Sequence, residues 1–394
     1  MKARSLSAIL FALILSLGWS SAWADDDDDD QFPEGVSFKT LITTPLAIEG
    51  LTGDRIGNLY TPGRGGSPCP VWRINLLKPS LVVVGDINVD PCSPSGIAFN
   101  KAGKLFVADG DKVYAFTPNS VNPPNAVVYA TGVPGTNGIA FDEKGNLWTG
   151  DGTTGQGRVW KVAPCKTFPT TPCAGVEIFR IQPLLNGANF GGDLTGDGVG
   201  RRVLTIPAGT AQPLVANGVA FDRNGNLFVA DTARGAIWKV KFDWNGNLRS
   251  ETGCDTTFTD NTLCLDNVYV AHPFLEGTDG IALDWEGNIW NSANERNAIV
   301  VVSGRRVKEI SRNSPDGITL LRNTGPLETP TSPFLLGTFF CTANSDGNRR
   351  DNSPATAGEI GGTGQPKGKI SCMVDPVTGN LIQLNIPGLP LPVD

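Results

Sequence analysis

Four near-identical phrases each place one oxygen-bearing side chain before a glycine. They are "PSGIAFNKAGKLF", "TNGIAFDEKGNLW", "ANGVAFDRNGNLF" and "TDGIALDWEGNIW", and the varied residues are Ser95, Asn137, Asn217 and Asp279. A weaker copy, "IEGLTGDRIGNLYTPG", has Glu49 at that position, and a degenerate sixth copy, "TSPFLLGTFFCTANSDGNRR", has Thr331 or Ser332. If these positions face one point, they offer two carboxylates and two amide carbonyls. That donor set suits a hard divalent cation, with calcium first because it accepts about six to eight oxygens in flexible geometry. Mg2+ and Mn2+ fit the same donors, and Zn2+ is compatible with the carboxylates. With no His or Cys in the set, a nitrogen- or sulfur-rich zinc site is disfavoured. An Asn or Asp before Gly is, taken singly, an ordinary turn former. Recurrence at equivalent positions is what points to a site.

The elements that must position these residues follow from the repeat. In "GIAFNKAGKLFVADGDKVYAF" three apolar segments are joined by polar glycine turns, the pattern of three β-strands in tight hairpins. Fourth strands are expected at "LVVVG", "AVVYAT", "VEIFRI" and "NVYVAH", which are rich in Val, Ile, Phe and Tyr. Four short antiparallel strands per repeat make a propeller blade. The predicted fold is all-β, a six-bladed β-propeller of four-stranded antiparallel blades over residues 41–394. The wide gap between Asn137 and Asn217 reads as one blade with a long insertion near 163–212; a seventh blade would have to hide there. Blades repeat around an axis, so the varied residues converge at one mouth of the axial channel. The "D-x-x-G-N" pieces at Asp142, Asp222 and Asp284 read as hairpin turns. The aromatics Trp148, Phe228 and Trp290 read as packing between blades.

The N-terminus shows a basic start (Lys2, Arg4), a short apolar run and the tripeptide Ala22-Trp23-Ala24. That is the pattern of a cleavable signal over 1–24. An acidic disordered leader is expected over 25–40, and the run Asp25 to Asp30 lies within it. The run also has a functional alternative, a loose divalent-cation tail. The expected product is secreted or periplasmic, with no membrane span, and a monomer. Eight cysteines in such a chain favour disulfides. The spacings favour local bridges, Cys69 with Cys92, Cys165 with Cys173, Cys254 with Cys264 and Cys341 with Cys372, while spacing alone leaves other pairings open. A formal charge of -7 and the lack of a basic stripe argue against nucleic acid as a partner.

The phrases resemble the senescence-marker-protein/gluconolactonase/luciferin-regenerating family of regucalcin-like six-bladed propellers. The resemblance implies a divalent cation in the channel and a small lactone or ester substrate. It implies Glu49, Asn217, Asp279 and Asn137 as metal ligands, Asp279 as the catalytic proton carrier, and Asn137 with Ser95 as substrate-binding residues. The sequence departs from the family where sugar-acid lactonases carry Arg and Asp around the equivalent of Asn137; here Gly135 and Gly138 stand there. The opening motif is also reduced to "EGLTGD". The short phrases resemble NHL-type repeats as well, which gives the alternative of a non-catalytic propeller binding a protein or glycan. A third reading, a strictosidine-synthase-like propeller, is disfavoured by Glu49.

Other chemistries lack their residues. With one histidine, His272, no histidine dyad can form, and its segment reads as an outer strand. No GxSxG elbow occurs. "GTGQPKGK" (362–369) lacks the P-loop pattern and reads as a loop. "DLTGDGVG" (193–200) begins like an EF-hand loop but has Leu204 where the closing Glu should be. It reads as a turn, with a secondary calcium site as the alternative; "NSDGNRRD" (344–351) carries the same ambiguity.

Overall fold

The computed structural model describes residues 32–33, 36–182, 216–315, 317, 322, 325–345 and 367–389, with the backbone of two short strands at 189–190 and 204–205. The signal segment, the Asp25 to Asp30 run and the EF-hand-like turn at 193–200 lie outside the described residues.

Six small antiparallel sheets are arranged in a ring, a six-bladed β-propeller. Blade one runs outward from Ala47–Ile48 and Thr52–Gly53 through Asn58–Arg64 and Cys69–Asn75 to Val82–Ile87. Blade two holds Pro94–Phe99, Leu105–Asp109, Lys112–Phe116 and Val127–Thr131. Blade three holds Thr136–Phe141, Leu147–Asp151, Arg158–Val162 and Val176–Arg180. Blade four holds Val219–Phe221, Leu227–Asp231, Ala236–Val240 and Val268–Ala271. Blade five holds Thr278–Leu283, Ile289–Ala293, Ala298–Ser303 and Arg306–Arg312. Blade six takes Pro330–Leu336, Phe339–Asn344 and Gly368–Val374 from the end of the chain and its outermost strand, Ser37–Thr44, from the beginning. This last pairing closes the ring. It begins before residue 40, where the leader was expected to end, and its partner lies over three hundred residues away, which no local pattern reveals.

The repeated phrase is explained by its hairpin. Asp142 Oδ1 accepts the Asn146 N–H at 2.9 Å, and its Oδ2 accepts from Asn146 Nδ2 at 2.7 Å and Trp148 Nε1 at 2.9 Å. Asp284 binds Asn288 and Trp290 in the same way, and Asp54 binds Asn58 and the Tyr60 hydroxyl. The aspartate thus closes the turn and anchors the polar edge of an aromatic ring whose apolar body must be buried. Trp148 then packs against Phe221 of blade four, with ring centroids 5.8 Å apart, and Trp290 against Phe340 of blade six at 5.0 Å. The expected turn and packing roles are both met.

The four local disulfides form as the spacings favour, and the described residues contain no free cysteine. Among the described residues between Asn137 and Asn217 there is one blade. In the span 163–212, Val176–Arg180 completes blade three and Cys173–Ala174 runs parallel to the outer strand of blade two. Asn189–Phe190 pairs with Leu204–Thr205. Two residues of the 362–369 stretch read as a loop, Gly368 and Lys369, belong to the strand Gly368–Val374.

Candidate functional site

The six varied positions lie in order around the axis, and the glycines that follow five of them show why. A Cβ on Gly50 would stand 2.2 Å from the Ser95 carbonyl oxygen; on Gly96, 2.1 Å from that of Asn137; on Gly138, 2.7 Å from that of Asn217. The series continues with Gly218 against Asp279 at 2.4 Å and Gly280 against Thr331 at 2.4 Å. Thr331 closes the circle, its hydroxyl donating to the Glu49 carbonyl at 2.6 Å. The sixth position is therefore Thr331, not Ser332. Each glycine is required because the next blade's backbone occupies the space of a side chain. Gly96→Ala is accordingly expected to destabilise the protein by about 1–3 kcal/mol, as overpacking does. An unchanged midpoint in chemical denaturation would show that the blades do not approach this closely.

The same spacing directs the varied side chains. In blade three Thr136 pairs with Asp151 and Ile139 with Thr149, so Asn137 and Gly138 together face Gly150. Ser95–Gly96 and Asp279–Gly280 interrupt their ladders likewise. Such a bulge re-aims a side chain out of the sheet. In blade four Asn217 stands just ahead of the inner strand, held by its N–H to the Ala230 carbonyl at 2.8 Å. Glu49, Ser95, Asn137, Asn217, Asp279 and Thr331 are all buried.

Their surroundings differ. Asn217 donates through Nδ2 to Thr232 Oγ1 at 3.0 Å, while its Oδ1 is buried with no hydrogen-bond partner. Asp279 accepts on Oδ2 from Asn294 Nδ2 at 2.8 Å. Ser95 donates its hydroxyl to the Thr136 carbonyl at 3.2 Å, so its proton is spent on the neighbouring blade. Glu49 is ion-paired with Arg64, whose other nitrogen donates to Ser93 Oγ at 2.9 Å.

Arg64, Asp109, Thr232 and Asn294 were not singled out in the sequence. Asp109 ends the second strand of blade two. Its Oδ1 accepts the Ser93 N–H at 3.1 Å, its Oδ2 is buried without a partner, and burial pushes its pKa up against the pull of Arg64. The equivalent Asp151 is locked by Arg158 and Thr154, and Asp231 by Arg234 and Trp238. The recurrence of Asp in "VADG", "TGDG" and "VADT" was the available signal.

The departures around Asn137 also have a cause. Gly135 has φ +81°, and a Cβ there would stand 2.0 Å from Asp151 Oδ1. Gly138 lies against the Asn217 backbone. Neither position admits the Arg or Asp of the sugar-acid lactonases. His272 stands just past the outer strand of blade four, where it caps the short turn Pro273–Leu275 by accepting the Phe274 N–H on Nδ1 at 3.1 Å. Burial, and then the charge of Arg296, holds its pKa below the ordinary value. Glu251 lies beside Cys254 and Cys264, but these two sulfurs are joined in a disulfide and provide no thiolate.

The chain shows a match to the SMP-30/Gluconolactonase/LRE-like region. It spans residues 205–342, from before the Asn217 phrase into blade six, and so contains Asn217, Asp279 and Thr331. No curated protein matches the chain in sequence. Among solved structures, a luciferin-regenerating enzyme aligns with TM-score 0.55 and 14% identity, over 90% of this chain and 98% of its own. Regucalcin, a calcium-binding protein from Agrobacterium tumefaciens, aligns with TM-score 0.54 and 16% identity, over 86% and 95%. The PQQ-bound aldose sugar dehydrogenase of Streptomyces coelicolor aligns with TM-score 0.52 and 14% identity, over 87% and 99%. At these identities the likeness establishes the propeller fold, which hosts more than one chemistry.

Proposed function

We propose that the protein is a lactonase-like, metal-dependent hydrolase acting at the ring mouth of its channel. The observation that carries this reading is the buried, unpartnered Oδ1 of Asn217, on a ring that also holds Glu49, Asn137 and Asp279. A buried amide oxygen without a donor costs about 1–3 kcal/mol, and a cation would satisfy it. The donor set fits a hard divalent ion, Ca2+ before Mg2+, Mn2+ or Zn2+. Glu49, Asn217 and Asp279 would hold it, with Asn137. A cation there would polarise a lactone or ester carbonyl and acidify water. Asp279, fixed through Oδ2 by Asn294, would take the proton of the attacking water and return it to the leaving oxygen. The amide of Asn137 would orient substrate or water. Ser95 would act as an acceptor only, since its proton is already donated.

Glu49 already shares its Oε2 with Arg64, whose positive charge competes with a cation, and this pairing favours the second reading, a non-catalytic propeller that binds a protein or glycan. Calorimetric titration of metal-stripped protein with Ca2+ separates the two. One site is expected, weakened at least about tenfold in Asn217→Leu, a loss of about 1.4 kcal/mol. Absence of a saturable site, or an Asn217→Leu variant that binds equally well, would overturn the hydrolase reading. The four disulfides support an oxidising compartment, and we place the mature chain outside the cytoplasm as a monomer.

A further inference from the structure

The channel has a second mouth, at the hairpin ends of the inner strands, away from the ring. A cavity of about 460 Å³ opens there. Its inner end is apolar, formed by Leu51, Ile97, Ile139, Val219 and Ile281, each two residues beyond a ring position. Phe99, Phe141 and Phe221 add an aromatic wall. This volume lies within the range of small-molecule pockets, about 300–1,000 Å³.

Two features of the rim identify what such a pocket would take. The first is a pair of tryptophans facing water, Trp244 at 86% exposure and Trp285 at 47%. The Trp244 turn is fixed rather than loose. Asp243 Oδ1 accepts the Asn247 N–H at 2.8 Å, and Lys144 Nζ donates to the Trp244 carbonyl at 2.9 Å. The second feature is a convergence of cations. Lys144 Nζ and Lys161 Nζ come within 3.5 and 3.9 Å of the point where a Cβ on Gly246 would stand. Arg223 lies over Trp285 at 5.0 Å. Among the described residues none of the three forms an ion pair. Four carboxylates line the same cavity, Asp142, Glu143, Asp222 and Asp243; Asp142, Asp222 and Asp243 accept from the N–H groups of their own hairpins.

We propose that this mouth binds an anionic amphiphile, a carboxylate or sulfonate with an apolar or aromatic body. The head would sit between Lys144 and Lys161, where it relieves the repulsion of two ammonium groups and gains charge-assisted hydrogen bonds. The body would fill the cavity, covered by Trp244 and Trp285. A neutral sugar could stack on the rings but would set its hydroxyls against an aliphatic inner end and bring no counter-charge to the two ammonium groups.

The test is a titration of the folded protein with 8-anilino-1-naphthalenesulfonate, read by dye emission and tryptophan quenching. Competitors are dodecanoate and dodecyltrimethylammonium, each below its micelle concentration. We expect one saturable site, displaced by dodecanoate and not by the cation. The Lys144→Gln/Lys161→Gln variant, with its thermal midpoint unchanged, should bind about tenfold more weakly. If that variant does not fold, Arg223→Gln should show a loss in the same direction. Absence of a saturable site, equal displacement by the cationic amphiphile, or unchanged affinity in the folded charge-neutralised protein would overturn the proposal.

Discussion

Asp279→Asn is expected to lower kcat/KM on a hydrolysed lactone or ester by about a hundredfold or more, with the fold intact. The fold should survive because asparagine has the same shape. Its carbonyl can keep the 2.8 Å bond from Asn294 Nδ2, and the adjoining Gly280 still fits against Thr331. What is lost is a charge and a proton acceptor. General acid–base catalysis contributes about 10²- to 10⁴-fold, which sets the size of the effect. Two roles can be separated by adding Ca2+ to saturation. If Asp279 only holds the ion, kcat returns at high Ca2+. If it also moves the proton, kcat stays low, the mark of an interaction made in the transition state. Turnover equal to the parent at all Ca2+ concentrations would remove Asp279 from the mechanism. Asp109, whose buried Oδ2 lacks a partner and whose pKa burial raises, would then be the acid to replace next.

The ring was legible because its cause is local and repeated. A residue before glycine recurs wherever an inner strand must pass its neighbour, and Gly96 and Gly138 are obligatory for that contact. The blade count was legible for the same reason, since four of the six inner hairpins carry the Asp, Gly and Asn, and Asn100 takes the place of the Asp in blade two. Features that depend on distant pairings were not. Arg64 meets Glu49 only after the first blade folds, and nothing in "TPGRGG" announces it. Asn294 meets Asp279, and Thr232 meets Asn217, only because the neighbouring strand of the same blade brings back a residue just past its end, fifteen positions on. The closing strand Ser37–Thr44 carries no phrase at all. Its partner, Gly368–Val374, begins inside the stretch "GTGQPKGK", whose glycines and charges look like a loop, yet Lys369 is fully buried in the last blade.

Replacing that lysine is expected to give the largest loss of stability. Lys369 Nζ lies 2.7 Å from Glu328 Oε2 and donates to the Gly325 carbonyl at 2.6 Å, with both side chains of the ion pair essentially inaccessible to water. Two residues on, Ser371 donates to the Pro326 carbonyl at 2.6 Å. These bonds hold the segment 325–331 that delivers Thr331 to the ring. Lys369→Met keeps the volume but removes one buried cationic partner of Glu328, and breaking such a pair from one side costs about 3–5 kcal/mol. The midpoint of urea denaturation, measured with the Cys341–Cys372 bridge intact, should fall while the slope stays constant. Adding Glu328→Leu to Lys369→Met should recover most of the loss, because two apolar side chains can replace a buried ion pair at little cost. If the single variant is as stable as the parent, or the double variant no better than the single, the pair does not hold the closing blade. Recovery in the double variant would have a further meaning for the site. Thr331 donates to the Glu49 carbonyl, so recovery would show that a filled, unstrained interior of blade six, with or without its charges, suffices to support the ring where the two ends of the chain meet.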